Sequence, residues 1–226
     1  MMISPEGYYE EYLKEKTKEQ IMSAIRGLKQ EIGRLKNMME SPDYGQEPIV
    51  HPSEDTRIHW THEYLERAKL AYAEAGGTYT LSKSEEKAAD FDENMDFICK
   101  ITFGIGGFFG GYRSYVVELS DDLRAFTKLW EEEEPLVLLD TDNEEAFTKA
   151  TFISSLADLH IGEWHRSYST KRFRYMVCDG TQWDLEFEYN NGHKPLRING
   201  DNSYPYNFDK LKILFGIDDT EEGEDE

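Results

Sequence analysis

From Thr17 the chain reads Thr-Lys-Glu-Gln and then places Ile21, Ile25, Leu28, Ile32, Leu35 and Met39 at alternating spacings of four and three. That pattern constrains the fold more than any other feature. A threonine followed three residues later by glutamine is a capping box, in which side chain and backbone satisfy each other's hydrogen bonds at a helix start. The apolar positions line one stripe only if the segment is helical, and a stripe of this period is a coiled-coil seam. A second helix is predicted from Ser53-Glu54-Asp55, with Ile58, Thr61, Leu65, Ala68, Tyr72 and Ala75 on one side and Gly76-Gly77 as the stop. Ser4-Pro5 marks an earlier, short helix carrying Tyr8, Tyr9 and Leu13. The turn-rich residues 40–55 lie between two seams of matching length. Residues 1–77 are therefore expected to form an antiparallel helical hairpin, coiled-coil-like, whose seam either closes on itself or pairs two copies as a homodimer.

The remainder changes character. Residues 78–94 are polar and acidic and read as a linker. Strands are predicted at 95–103 and 111–119, and Ser120-Asp121-Asp122 looks like the cap of a helix bearing Leu123, Phe126 and Trp130. A short strand is expected at 136–139, then a helix from Asp142 bearing Phe147, Phe152, Leu156 and Leu159. GEWHRSYS, KRFRYMVC and TQWDLEFEY follow, the last turning at Asn190-Asn191-Gly192 into HKPLRIN. Asn-Gly is a favoured hairpin dipeptide, so a β-meander is expected here. A final helix is predicted at 208–215. The expected fold class is α+β: the helical hairpin over 1–77, the linker over 78–94, an acidic α+β domain over 95–217, and a disordered acidic tail over 218–226.

Charge narrows the function classes. The chain has 25 basic and 46 acidic residues, a net of -21. Residues 1–77 hold 14 acidic and 10 basic side chains, leaving 32 and 15 to the rest. A field of this sign repels nucleic acid and anionic lipid, and it attracts basic protein surfaces. Direct nucleic-acid binding and membrane association are therefore not expected. No run of the sequence approaches a membrane span, and the start has no apolar signal core. Cys99 and Cys178 sit in apolar runs without metal-ligand spacing, as befits reduced thiols of a cytoplasmic protein.

Three constellations could carry chemistry. FGIGGFFGGYR, residues 103–113, is rich in glycine, but no Gly-Lys-Ser/Thr follows and a strand, not a helix, comes next. It reads as a bulged or flexible hairpin, or as a loop presenting Phe108 and Phe109 to a partner. His160, His165 and His193 with Asp158 and Asp184 could serve acid-base chemistry, yet no serine or cysteine stands in a nucleophile context. Ordinary structural histidines are the simpler expectation, with no catalytic, cofactor or metal residue assigned. The third is WEEEEPLVLLDTDNEEAF, residues 130–147, with eight carboxylates and no base. Glu131, Glu132, Glu133 and Glu134 are predicted at a helix C-terminus, where negative charge is unfavourable. With Asp140, Asp142, Glu144 and Glu145 they form either a solvated face or an imitation of a phosphate backbone. The expected partner-binding set is these eight acids with Phe108, Phe109 and Trp130.

Residues 179–216, with a Trp-bearing strand, an Asn-Asn-Gly turn and a Gly-x-Asn-x-Tyr-Pro segment, resemble a C-terminal module of uncharacterised proteins from gut-type Gram-positive bacteria. ISPEGYYEEYLKEKTKEQIMSAIRGLKQEIGRLKN is similar to the start of proteins carried on mobile elements. In charge and size the chain also resembles the anti-CRISPR inhibitors. These likenesses imply a setting rather than an activity. The expected function is non-enzymatic: an acidic inhibitor blocking the nucleic-acid-binding surface of a bacterial immune nuclease, such as a CRISPR effector. The alternatives are an interaction module of a mobile element, acidic for solubility alone, and an enzyme whose site gathers His160, His165, Asp184 and the glycine loop.

Overall fold

The computed structural model describes residues 3–45, 51–107, 111–129, 132–140, 145–173 and 180–217. They form two compact units, Met1–Ser82 and Lys83–Glu226. Among the described residues there are six α-helices and a seven-stranded, mostly antiparallel sheet, an α+β composition. No helix among them is long and apolar enough to cross a membrane.

The N-terminal unit follows its local signals. Ser4 Oγ accepts the Gly7 N–H at 3.0 Å and starts α1 (Pro5–Tyr8), which runs into a π-helical turn at Tyr9–Leu13. Thr17 and Gln20 close the capping box of α2 (Lys18–Met39). This helix buries Ile21, Ile25, Ile32 and Leu35, while Leu28 and Met39 are half-buried. Ser53 caps α3 (Glu54–Glu74), which buries Ile58, Thr61, Leu65, Ala68 and Ala71. Near its C-terminus the apolar stripe runs through Ala71, and Ala75 is exposed. α2 packs on α3, and Arg57 Nη2 reaches Glu31 Oε1 across the pair at 2.8 Å. Arg67, 9% exposed, fixes α1 to α3: it donates to Glu6 at 3.0 and 3.3 Å and its guanidinium lies 3.8 Å from the Tyr9 ring centre. Tyr8 stacks on Tyr64 at 4.4 Å.

The C-terminal unit departs from expectation in several places. Lys83–Glu93, within the expected linker, is a helix, α4. Its single large apolar residue, Phe91, is 3% exposed and meets Phe187 edge-on at 5.2 Å, so one anchor replaces a stripe that periodicity could detect. The strands β1 (Ile98–Gly107) and β2 (Gly111–Leu119) pair as an antiparallel hairpin. Leu123–Leu129 is then a strand, β3, not a helix. Ser120-Asp121-Asp122 turns the chain so that Leu119 pairs with Leu123, and ladder bonds to β2 override a helix-start signal. Glu132–Leu136 is β4, paired with β3; of the strand expected at 136–139, Leu136 ends β4 and Leu139 forms an isolated bridge to Ala146. The next helix, α5 (Lys149–Ala157), starts behind Thr148 rather than at Asp142, with Thr148 Oγ1 accepting the Thr151 N–H at 3.2 Å.

Beyond α5, β5 (Ser167–Ser169), β6 (Thr181–Tyr189) and β7 (Leu196–Asp201) complete the order β4-β3-β2-β1-β6-β7-β5. β6 and β7 are antiparallel around the Asn190–Gly192 turn. β5 instead lies outside β7 and parallel to it, so the described strands here do not follow one another in sequence order. The last helix, α6, spans Phe208–Leu214. Ile101, Phe103, Val117, Trp183, Leu185 and Phe187 alternate onto one sheet face, where they share a core with Phe91 of α4, Phe152 and Leu156 of α5, and Phe208 and Leu211 of α6. Each large side chain buried there contributes about 1.5–3 kcal/mol. Cys99 is half-buried, its thiol 3.4 Å from the Glu188 carbonyl oxygen; Cys178 and the tail lie outside the described residues.

Candidate functional site

Of the predicted partner-binding residues, Phe108, Phe109, Trp130, Glu131, Asp142 and Glu144 lie outside the described residues. Glu132, Glu133 and Glu134 do not end a helix, so the macrodipole penalty expected for them does not arise. They are exposed and stand in register with Leu129, Lys128 and Thr127 of β3. Glu133 shares the face of Arg124 and Lys128 and lies 3.9 and 4.0 Å from them. Because strand residues alternate, Glu132 and Glu134 point to the other face, roughly 6.6 Å apart along the strand. β4 is the sheet's edge, and its sequence, Glu-Glu-Glu-Pro-Leu, suits that place. Charge and proline on an edge oppose pairing with another copy of the same edge. Asp140 and Glu145 are joined by the main chain, Asp140 N–H donating to the Glu145 carbonyl at 2.8 Å.

The glycine-rich segment is committed to the sheet. Gly104, Gly106 and Gly107 pair with β2 on one side and β6 on the other, which occupies the backbone groups a phosphate cradle would need. The Tyr112 ring covers Gly104, where an added Cβ would lie 2.6 Å from Tyr112 Cε1, and its hydroxyl donates to Asp184 across β1. Burial, then the bond to Asp184, pushes the Tyr112 phenol well above its usual range. The histidines fall in different surroundings. His160, three residues beyond α5, has a left-handed conformation, φ 48°, and is close enough to Asp92 to oppose the rise that burial imposes on that carboxyl. His165 meets the Tyr168 ring at 5.6 Å, and His193 Nε2 is 3.1 Å from Asp90 Oδ2. Asp184 is held by Tyr112 on the sheet face opposite the helices.

A different constellation emerges beside α4. Lys87 and Asp90 of α4, Arg166 ahead of β5, Tyr189 at the end of β6, and His193 and Lys194 of the β6–β7 loop line a cleft of about 440 Å³ with Phe91 and Leu196. Lys87 Nζ donates to the Trp164 carbonyl at 2.5 Å. Burial, with the Arg166 cation second, lowers its ammonium to about 8. Burial also lowers Arg166, against the opposing pull of Tyr189 and Asp90. Burial pushes the Tyr189 phenol up to about 12. The imidazole of His193 meets the Tyr189 ring edge-on at 4.7 Å. A neighbouring hollow of about 400 Å³ shares Arg166 and adds His165, Ser167 and Arg172.

Sequence reasoning did not find this cleft. Its charged residues come from a supposed linker, an irregular segment and a turn, and no spacing unites them. His193 was noticed for acid-base chemistry, but its carboxylate partner, Asp90, is 103 positions away. No protein-family model, curated protein or solved structure matches the chain.

Proposed function

We propose that this chain is a non-catalytic binding protein whose acidic C-terminal unit engages a basic partner surface, and that the partner is a nucleic-acid-handling protein of the cytoplasm. One observation carries the proposal: Glu132, Glu133 and Glu134 are exposed on the edge strand of the sheet. An edge strand is a template for an added strand, and its carboxylates repel an identical edge while favouring a lysine- and arginine-rich one. Glu132 and Glu134 carry the attraction, since Glu133 already faces Arg124 and Lys128. Inhibition of a CRISPR-type nuclease through its guide- or DNA-binding groove is the specific form this takes, because such grooves concentrate the required positive charge. In the same proposal α2 and α3 form an antiparallel hairpin that uses its seam within the chain, and the protein is a monomer.

The test is binding of an extended peptide with alternating lysine and valine, followed by fluorescence anisotropy at low and high salt. Salt-sensitive binding to the wild type that falls at least about tenfold in Glu132→Lys/Glu134→Lys supports an acidic docking edge. Equal binding by the two proteins removes β4 from recognition and leaves the acids as solubilising charge. Inhibition of DNA cleavage by a purified CRISPR effector, read with the same variant, decides the narrower identity of the partner.

A further inference from the structure

The cleft beside α4 has a charge balance opposite to that of its surroundings. The C-terminal unit holds 32 acidic and 15 basic residues, yet this cleft is lined by Lys87, Arg166, Lys194 and His193 against one carboxylate, Asp90. Asp90 is engaged with His193 at 3.1 Å. Among the described residues, Lys87, Arg166 and Lys194 enter no ion pair, and Lys87 has only the neutral Trp164 carbonyl as an acceptor. Arg166 is exposed, and its guanidinium makes no hydrogen bond within the described residues. Lys87 and Arg166 repel each other and have lost part of their hydration, and of the two only Arg166 draws on Asp90 in partial compensation. A fold tolerates that arrangement at a cost, and an anion placed between them removes the cost.

The cleft volume falls in the range of small-molecule sites, and its wall is partly apolar, with Phe91, Tyr189 and Leu196 in its lining. A guanidinium fork and an ammonium point charge together match a planar or tetrahedral oxyanion. We infer that this cleft binds a small organic oxyanion, with its phosphate or carboxylate head between Lys87 and Arg166 and its apolar body against Tyr189 and Leu196. The site is separate from the acidic edge and takes a ligand of opposite charge. The protein therefore has two recognition surfaces, one for a basic macromolecule and one for a small anion.

The affinity depends on pH through Lys87. The groups facing it are Asp90 on its own helix, Arg166 ahead of β5, Tyr189 of β6, and His193 and Lys194 of the β6–β7 loop. Only the charged ammonium attracts the anion, and burial with Arg166 nearby leaves that ammonium half-deprotonated at about pH 8. Binding therefore weakens by up to about tenfold between pH 7 and pH 9, a range in which a phosphate monoester stays predominantly a dianion.

The experiment is calorimetric titration of the full chain with phenyl phosphate, benzoate and inorganic phosphate at pH 7 and pH 9. The expected result is binding of phenyl phosphate or benzoate with a Kd below about 1 mM at pH 7, the stronger of the two assigning the head group. Arg166→Gln should weaken it at least about tenfold with an unchanged circular dichroism spectrum. Lys87→Met should abolish the pH dependence. As a check independent of variants, the Lys87 side-chain NMR titration should move upward when the probe is added. The inference is overturned if no probe binds at about 10 mM, if Arg166→Gln binds as the wild type does, or if the pH dependence survives in Lys87→Met.

Discussion

The two units of this protein are held together in different ways. Met1–Ser82 is built from long helices whose buried residues are mostly aliphatic, Ile21, Ile25, Ile32 and Leu35 on one helix and Ile58 and Leu65 on the next. Lys83–Glu226 is built on a sheet whose core is aromatic: Phe103 meets Phe215 at 5.3 Å and Phe208 at 5.7 Å, and Trp183 meets Phe208 at 4.8 Å. In the first, most partners of a side chain lie three or four positions away or on the adjoining helix. In the second, these ring partners lie from 25 to 112 positions apart. The charge divides at the same place, since the first unit holds 14 acids and 10 bases and the second 32 and 15. The unit that depends on distant contacts is thus also the one with strong self-repulsion, and its rings must offset that field.

The sharpest way to break the comparison is to empty each core once. Phe103→Ala removes a fully buried ring beside two others and should cost about 3–5 kcal/mol, read as a lower urea midpoint in the fluorescence of the buried Trp164 and Trp183. Ile25→Ala in the other unit should cost about 2–5 kcal/mol, read in the helical circular dichroism signal. Losses of the same size in both signals for either variant would mean that the units unfold as one, and the contrast between them would disappear.

A smaller effect tests whether local signals suffice in the first unit. Thr17→Ala deletes the acceptor of the Gln20 N–H and should lower stability by about 0.5–2 kcal/mol, with Thr17→Ser restoring most of it. No loss would show that packing of α2 on α3 holds the helix start without its cap.

A further test belongs to the second unit and to pH. The folded-state pKa of Lys87 is depressed to about 8 from an ordinary 10.5, so between those values the unfolded chain holds more of that proton. Stability from this group accordingly rises as pH increases from about 8 to 10.5, and below that window the buried charge opposes folding. Lys87→Met should flatten the rise in urea midpoints measured across that range. An unchanged slope would show that the ammonium is as well solvated in the cleft as in the unfolded chain.

Much of the first unit was legible because its information is local. Ser4-Pro5, the Thr17–Gln20 box, Ser53 and Gly76 each sit where a helix begins or ends, and the seam positions of α2 are buried or half-buried. The second unit was legible only in part. β2 matched its predicted limits and α6 differed by one residue, yet Leu123–Leu129 carries a helix-start signal and forms a strand because β2 and β4 lie on either side of it. The acidic run was noticed but misplaced: its glutamates continue a ladder rather than end a helix. The cationic cleft gave no warning, since each of its residues taken alone is an ordinary surface lysine, arginine or histidine.

The sequence by itself determined where the helices of the first unit start, which of their faces is apolar, that the whole is α+β, and on which part the acid is concentrated. These are properties of neighbours within one or two helical turns, written in spacing and composition. Only the tertiary structure decided that β5 lies parallel outside β7, that Glu132–Glu134 form an exposed edge, and that Lys87 and Arg166 share a cleft with Asp90 and His193. The physical reason is range: ladder hydrogen bonds, ring packing and charge–charge repulsion act across a few ångströms of space, whatever the distance along the chain.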